Sequence, residues 1–233
     1  MEKRERAASW LLLFLSVAPF LIAFASIQFL PDQIPAHYNA AGEIDRWGSK
    51  YEQLILAVFF SLSGWIIWLI SRFSGKLADN DAELARAKAN GRVAVIVGIA
   101  VQLLLCALQI AFVYAAWREA SLDAARSVLP LWKILGIGSG LLYVVIGNVM
   151  PKAKPNNLMG VRTPWSAGSP EAWAKSQRAG GIAFAVAGGV CVLLSLLLHG
   201  FVIFWVLMVC TLVAAVLSVW YSWKFDQAAQ KKA

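Results

Sequence analysis

Two short polar segments hold most of the side chains in this sequence that could do chemistry. The first contains Asp32, Pro35, His37, Asn39, Gly42, Glu43, Asp45, Arg46 and Trp47. His37 together with Asp32, Glu43 and Asp45 offers the donor types of a metal site or a pH sensor. Strong metal motifs place their ligands in pairs, however, and a single histidine lacks that spacing. The plainer reading is a hydrogen-bonded loop histidine, with Pro31 and Pro35 stopping an apolar run and Asn39 to Gly42 forming a tight turn.

The second segment begins at Asn148 and crowds Asn156, Asn157, Gly160, Arg162, Thr163, Pro164 and Trp165 together. Ser169-Pro170-Glu171 then reads as the start of a short helix, with Ser169 as N-cap and proline at the first helical position. On that helix Trp173 and Gln177 share a face, while Lys175 and Arg178 can meet anionic headgroups. An interfacial helix with a rigid lead-in explains part of this, yet the density of Asn, Arg, Thr and Trp exceeds what a connector needs. Neither segment carries a Ser-His-Asp constellation, a paired metal motif or a phosphate-cradling glycine loop. No cofactor and no enzymatic activity are therefore expected; a lipid-headgroup enzyme built on Asn157, Arg162 and Gln177 would lack a general base.

The elements that position these segments follow from composition. Of 233 residues, 60% are hydrophobic and 15% charged, where soluble domains carry roughly 25% charged residues. A soluble enzyme, a disordered chain and a disulfide-stapled secreted domain are all excluded. Cys106, Cys191 and Cys210 fall in apolar runs and make no disulfide framework. A bilayer core about 30 Å thick takes roughly 20 apolar residues in a helix. Six stretches qualify: 10–30, 54–71, 93–117, 129–150, 180–198 and 201–223. The last two are separated only by His199-Gly200, which predicts a tight helical hairpin. Sustained period-two alternation is absent, so the fold class is all-α, a polytopic membrane protein with six transmembrane helices.

Lys and Arg fix the expected orientation. Sixteen lie in the N-terminal tail, the segments 72–92 and 151–179, and the C-terminal tail, against four (Arg46, Lys50, Arg118 and Arg126) on the alternate side, with Lys133 at a span edge assigned to neither. Both termini are expected on the cytoplasmic side of the membrane, with the His37 loop outside and the Arg162 loop inside. The net charge of +8 thus reads as a topology signal, and direct nucleic-acid binding loses its support. Trp10, Trp65, Trp68, Trp117, Trp132, Trp220 and Trp223 lie near span ends, where an indole favours the interface. The basic start and Ala23-Phe24-Ala25 resemble a cleavable signal, but the apolar run continues to Leu30, so the first span is read as retained.

The segment 72–92 reads as a solvated connector with a short helix capped by Asp79 or Asn80 and ending near Ala89. Gln102, Cys106 and Gln109 share one face of the third span, where buried amides join helices. Gly136 and Gly140, then Gly181, Ala185 and Gly189, have close-packing spacing. Pro31 and Pro35 match Pro151 and Pro155 in spacing; Asn39, Gly42 and Trp47 likewise match Asn157, Gly160 and Trp165. Each loop follows the first span of a three-span half, so a 3+3 inverted repeat is an expectation.

With those residues in hand, the second segment resembles the bacterial SdpI family. The resemblance rests on Asn148, Pro155-Asn156, Gly160-Val-Arg162-Thr163-Pro164-Trp165, Trp173 and Arg178-x-Gly180-Gly181. The first segment, from Ile34-Pro35 through Asn39 and Gly42 to Asp45-Arg46-Trp47-Gly48, resembles the uncharacterised domain that precedes this signature in longer members. The expected division is therefore 1–92 for the N-terminal part and 93–233 for the SdpI-like part. The resemblance implies protection from a membrane-active peptide toxin, with membrane lipid and that peptide as partners and a cytoplasmic repressor held at the membrane. One position departs from the pattern: family members often have His where this sequence has Gln177, which would remove any imidazole chemistry and keep hydrogen bonding. The alternative is a small transporter or flippase with a midplane site near Gln102 and Gln109.

Overall fold

The computed structural model describes residues 3–230. Helix α1 (Lys3–Ser26) leads into an antiparallel hairpin, β1 (Gln33–Tyr38) and β2 (Ile44–Ser49). Then come α2 (Glu52–Phe73), α3 (Asp81–Leu122), α4 (Leu131–Val149), the single-turn α5 (Pro164–Ala167), α6 (Pro170–Leu197) and α7 (Val202–Gln230). Among the described residues six helices, all but α5, are long and apolar enough to cross a membrane. The protein is a multi-pass membrane protein.

The helices form two packed trios, α1–α2–α3 and α4–α6–α7, with α3 against α4 between them. Large apolar side chains such as Phe14, Phe59 and Val216 point outward, as lipid favours. The interior is instead small and polar, because helices in lipid associate by close backbone approach and hydrogen bonds. In the first trio Gln102 Nε2 donates to Phe60 O at 3.1 Å and Ser63 Oγ at 2.9 Å, and Gln109 Nε2 donates to Gln53 Oε1 at 3.1 Å. Gly64 is required there, since a Cβ would stand 2.6 Å from Gln102 Nε2. In the second trio α4 and α6 meet glycine to glycine: a Cβ on Gly188 would lie 2.5 Å from Gly140 O, and one on Gly181 2.5 Å from Gly147 O. Gly188 and not Gly189 makes this contact; Gly189 faces open space. The four-residue spacing read from Gly181 slips by one residue because α6 turns 3.6 residues per turn.

Three features differ from the sequence reading. Asn80 does cap a helix, its side chain accepting from Glu83 N at 2.9 Å. That helix is not short: it runs unbroken for 42 residues into the third span, about 63 Å at 1.5 Å per residue, so its first turns project past the hydrocarbon. Ser169 likewise caps α6 through Ala172 N at 3.0 Å, and α6 continues through Gly180-Gly181 into the fifth span rather than stopping as a separate interfacial helix. Packing against α4 outweighs the helix-weakening effect of the two glycines. The third is the β-hairpin. Its strands alternate poorly, with bulges beside His37, so period two is hidden, although a Gly-containing turn between two short runs is a hairpin signal. The turn between α6 and α7 at Gly200, with φ +68°, is as expected.

Candidate functional site

The Arg162 loop is built on hydrogen bonds between uncharged groups, buried at Trp173, Gln177 and Ser166 and more exposed at Asn156. After Pro151, Ala153 O accepts from Trp173 Nε1 at 2.8 Å, and Lys154 N donates to Asn90 Oδ1 on α3 at 2.8 Å. Asn156 then folds the chain on itself: its Oδ1 accepts from Leu158 N (2.7 Å) and Met159 N (2.8 Å), while its Nδ2 donates to Lys154 O (2.7 Å). Gly160 follows at φ +89°, a left-handed conformation that costs glycine little. A Cβ there would also stand 2.9 Å from Gln177 Cδ.

Gln177 is the centre of this loop. Fully buried on α6, it accepts from Val161 N at 2.9 Å and donates to Val161 O at 2.8 Å, so one amide pairs both ways with one residue's backbone. The same Val161 O accepts Ser166 Oγ at 2.9 Å, filling its second lone pair. Thr163 and Ser166 cap α5 reciprocally, Pro164 takes its first helical position, and Thr163 Oγ1 lies 2.6 Å from Ser222 Oγ on α7. The loop is thus pinned to α3, α6 and α7. What it presents outward is Asn157 and Arg162, whose guanidinium donates to Asn157 O. Trp165 turns toward α7 and shares an apolar groove with Trp220 and Trp223. Asn148 and Arg178 are exposed on α4 and α6 and are not drawn into this network. The network is made of amide, hydroxyl and backbone groups, which fix the shape of the loop by hydrogen bonding.

The hairpin on the opposite face is held by charge. Asn39 makes the turn, its Oδ1 accepting from Ala41 N and Glu43 N, each at 3.0 Å, with Gly42 at φ +77°. Glu43 accepts from Arg126 at 2.5 Å; Ile44 N donates to Ala125 O at 2.9 Å and Ser127 N to Gly42 O at 2.8 Å. The α3–α4 connection therefore docks along the hairpin. His37 Nδ1 lies 2.6 Å from Asp45 Oδ1, Arg46 meets Glu52 at 2.8 Å and Lys50 meets Asp32 at 2.9 Å. His37 is a hydrogen-bonded histidine on β1, paired with Arg46 across the hairpin and not in a loop as the sequence suggested, and among the described residues no group of three His, Cys, Asp or Glu side chains comes together as metal ligands. Trp47 pairs with Pro35 across the strands, and Pro35 is buried beside Ile34, which packs on Leu30 and Ala116. The Glu43 carboxyl is held below its usual range by the Asn39 hydrogen bond and then by Arg126.

Sequence reasoning missed the deepest polar group on this face. Glu119 of α3 has no exposed surface; its carboxylate accepts from Tyr38 OH at 2.7 Å and from Val128 N at 2.8 Å. Burial, and then this hydrogen bond, push the Tyr38 phenol above its usual range. The available signal was one acidic residue directly after Trp117-Arg118 at a span end. Beside Tyr38 lies a cavity of about 350 Å³, bounded by Gly42, Arg126, Trp132 of α4 and the His199-Gly200 turn. It takes walls from both helix trios.

These features define a membrane protein with six long apolar helices and two polar sites on opposite faces, one held by hydrogen bonds between uncharged groups, the other by ion pairs. Residues 152–222 match the SdpI/YfhL protein family, and residues 14–62 match the domain of unknown function DUF1648. The second match covers α1 from Phe14, the hairpin and half of α2; the first covers the Arg162 loop, α6 and most of α7. The chain is 30% identical over 92 residues to the Immunity protein SdpI of Bacillus subtilis (strain 168), which is 40% of this chain and 44% of that protein. It is 46% identical over 43 residues to an uncharacterized protein of Archaeoglobus fulgidus, 18% of this chain and 24% of the relative. The chain thus spans less than half the length of either relative. No solved structure matches it.

Proposed function

We propose that this protein protects its membrane against a membrane-active peptide. The hairpin face meets the peptide, and the Arg162 loop on the cytoplasmic face signals or docks a cytoplasmic partner such as a repressor. The observation that carries this reading is the construction of the family-matched loop. Gln177, Ser166 and Asn90 spend their hydrogen bonds on holding backbone, which leaves Asn157 and Arg162 on a fixed platform free to recognise a partner. A relative named as an immunity protein supports the peptide as ligand. The distribution of sixteen basic residues against four supports cytoplasmic termini. The cavity beside Tyr38 suits a peptide segment, because part of it lies in the α1–α3 trio and part in the α4–α7 trio, so an occupant can shift one against the other.

The role is non-enzymatic: binding alone accounts for the residues both faces present. Expression in a peptide-sensitive strain tests this; survival should rise on challenge with a membrane-active peptide. Unchanged survival across a panel of such peptides, with the protein shown in the membrane, would overturn it. The two helix trios also favour a second reading, a transporter with inverted repeats. It asks for water at Gln102 and Gln109, whose Nε2 groups bond the first trio's own helices while their buried Oε1 atoms meet no partner among the described residues.

A further inference from the structure

Basic residues from three helix ends converge on one cleft at the face that carries Lys3. About 540 Å³ of space lies between the start of α1, the turn after α2 and the first turns of α3. Leu84, Val95 and Ile96 give it an apolar wall, and Arg4, Arg72, Lys76, Lys88 and Arg92 stand around that wall with one carboxylate, Glu5. Glu5 is already engaged, accepting from Arg92 at 2.9 Å and tying α1 to α3. Among the described residues the other four cations meet no carboxylate. Like charges gathered around an apolar space repel one another unless an anion joins them.

The depth of the cleft narrows the kind of anion. An adjoining groove shares Ser9 and Arg72 and is lined by Trp10 and Trp68, and tryptophan favours the headgroup level of a bilayer. A soluble anion would satisfy the cations and leave the apolar wall unused. A phosphate carried on hydrocarbon satisfies both. We propose that this cleft binds one anionic phospholipid, with its phosphate among Arg72, Lys76 and Lys88 and the start of one acyl chain along Leu84, Val95 and Ile96. The volume takes a headgroup and the first stretch of a chain, within the ordinary range of ligand sites, while the rest of the lipid stays in the leaflet. The lipid would hold α1 and the projecting start of α3 together at the turn after α2, a role independent of the immunity reading.

Native mass spectrometry of the full chain in neutral detergent tests this, with phosphatidylglycerol, phosphatidylcholine and inorganic phosphate added in turn. The expected result is one retained phosphatidylglycerol, weaker retention of phosphatidylcholine and no competition from inorganic phosphate. Lys76→Gln with Lys88→Gln should weaken retention roughly 30-fold, about fivefold for each cation. Ala87→Trp, which fills the cleft and keeps every charge, should weaken it as well. Lys152→Gln with Lys175→Gln removes two charges from the same face outside the cleft and should leave retention unchanged. Three results overturn the proposal: equal retention of phosphatidylcholine, equal weakening in the Lys152 and Lys175 variant, or displacement of the lipid by inorganic phosphate.

Discussion

The two polar loops do similar jobs by opposite physical means. The Arg162 loop is tied down by hydrogen bonds between uncharged groups, buried where they centre on Gln177 and Val161. The hairpin is tied down by ion pairs that stand in solvent, at His37–Asp45, Arg46–Glu52 and Arg126–Glu43, over a single buried carboxylate. Exposed pairs are screened and contribute little each, whereas a buried backbone group left without its partner is costly. The Arg162 loop should therefore hold one shape across pH and salt, and the hairpin should respond to both. A stable platform suits docking; a labile cover suits a face that must admit a ligand.

The largest effect is expected at Gln177. Gln177→Leu leaves Val161 N–H without an acceptor in a fully buried site, and should lower stability in detergent by about 1–3 kcal/mol, toward the upper end because no water reaches it. Gln177→His can keep one of the two bonds to Val161, since neutral imidazole donates at one nitrogen and accepts at the other on opposite sides of the ring. It should cost about half as much. A thermal unfolding series in which His and Leu behave alike would remove the two-way amide from the account. On the hairpin face, Glu119→Leu orphans Tyr38 OH and Val128 N and should cost about 1–3 kcal/mol. Glu119→Gln keeps a carbonyl acceptor and should cost less; the reverse order would contradict the hydrogen-bond assignment.

A smaller and more selective effect is expected from pH. The Glu43 carboxyl is lowered in the folded chain, so its contribution is complete above its ordinary value of 4.5 and is lost as pH falls through the lowered folded value. The Tyr38 phenol is raised, so its contribution is complete below its ordinary value of 10.0 and is lost as pH rises beyond that through the folded value. Hydrogen exchange at the amides of Ile44 and Ser127 should quicken at both extremes, while the buried amide of Val161 stays protected. Equal quickening in both loops would erase the contrast. The smallest effect belongs to Arg126→Gln, which should leave overall stability unchanged and abolish the salt dependence of exchange at Ile44.

Span number, the turn at Gly200 and the caps at Asn80 and Ser169 were legible in the sequence, because hydropathy and capping are local signals. The lengths of α3 and α6 were not, since whether a capped polar turn runs on into a span depends on what packs beside it. The hairpin was hidden by its bulges, and its docking partner by distance, Arg126 lying 83 residues from Glu43. Within the Arg162 loop the residue types were visible and their division of labour was not. Asn156, Gly160 and Gln177 serve the backbone, Trp165 faces α7, and Asn157 and Arg162 face outward. Of the residues that anchor each loop to α3, Glu119 showed only as an acidic residue at a span end, and Asn90 carried no local signature.

The most direct test of the account is survival of peptide-challenged cells expressing the wild-type chain, Arg162→Ala, or Arg162→Lys, with membrane levels matched. Arg162 is exposed and its loss should leave the loop folded, so the account predicts protection by the wild type, loss of protection in Arg162→Ala, and partial recovery in Arg162→Lys. Full protection by Arg162→Ala would contradict the claim that the Arg162 loop is the working surface of this protein.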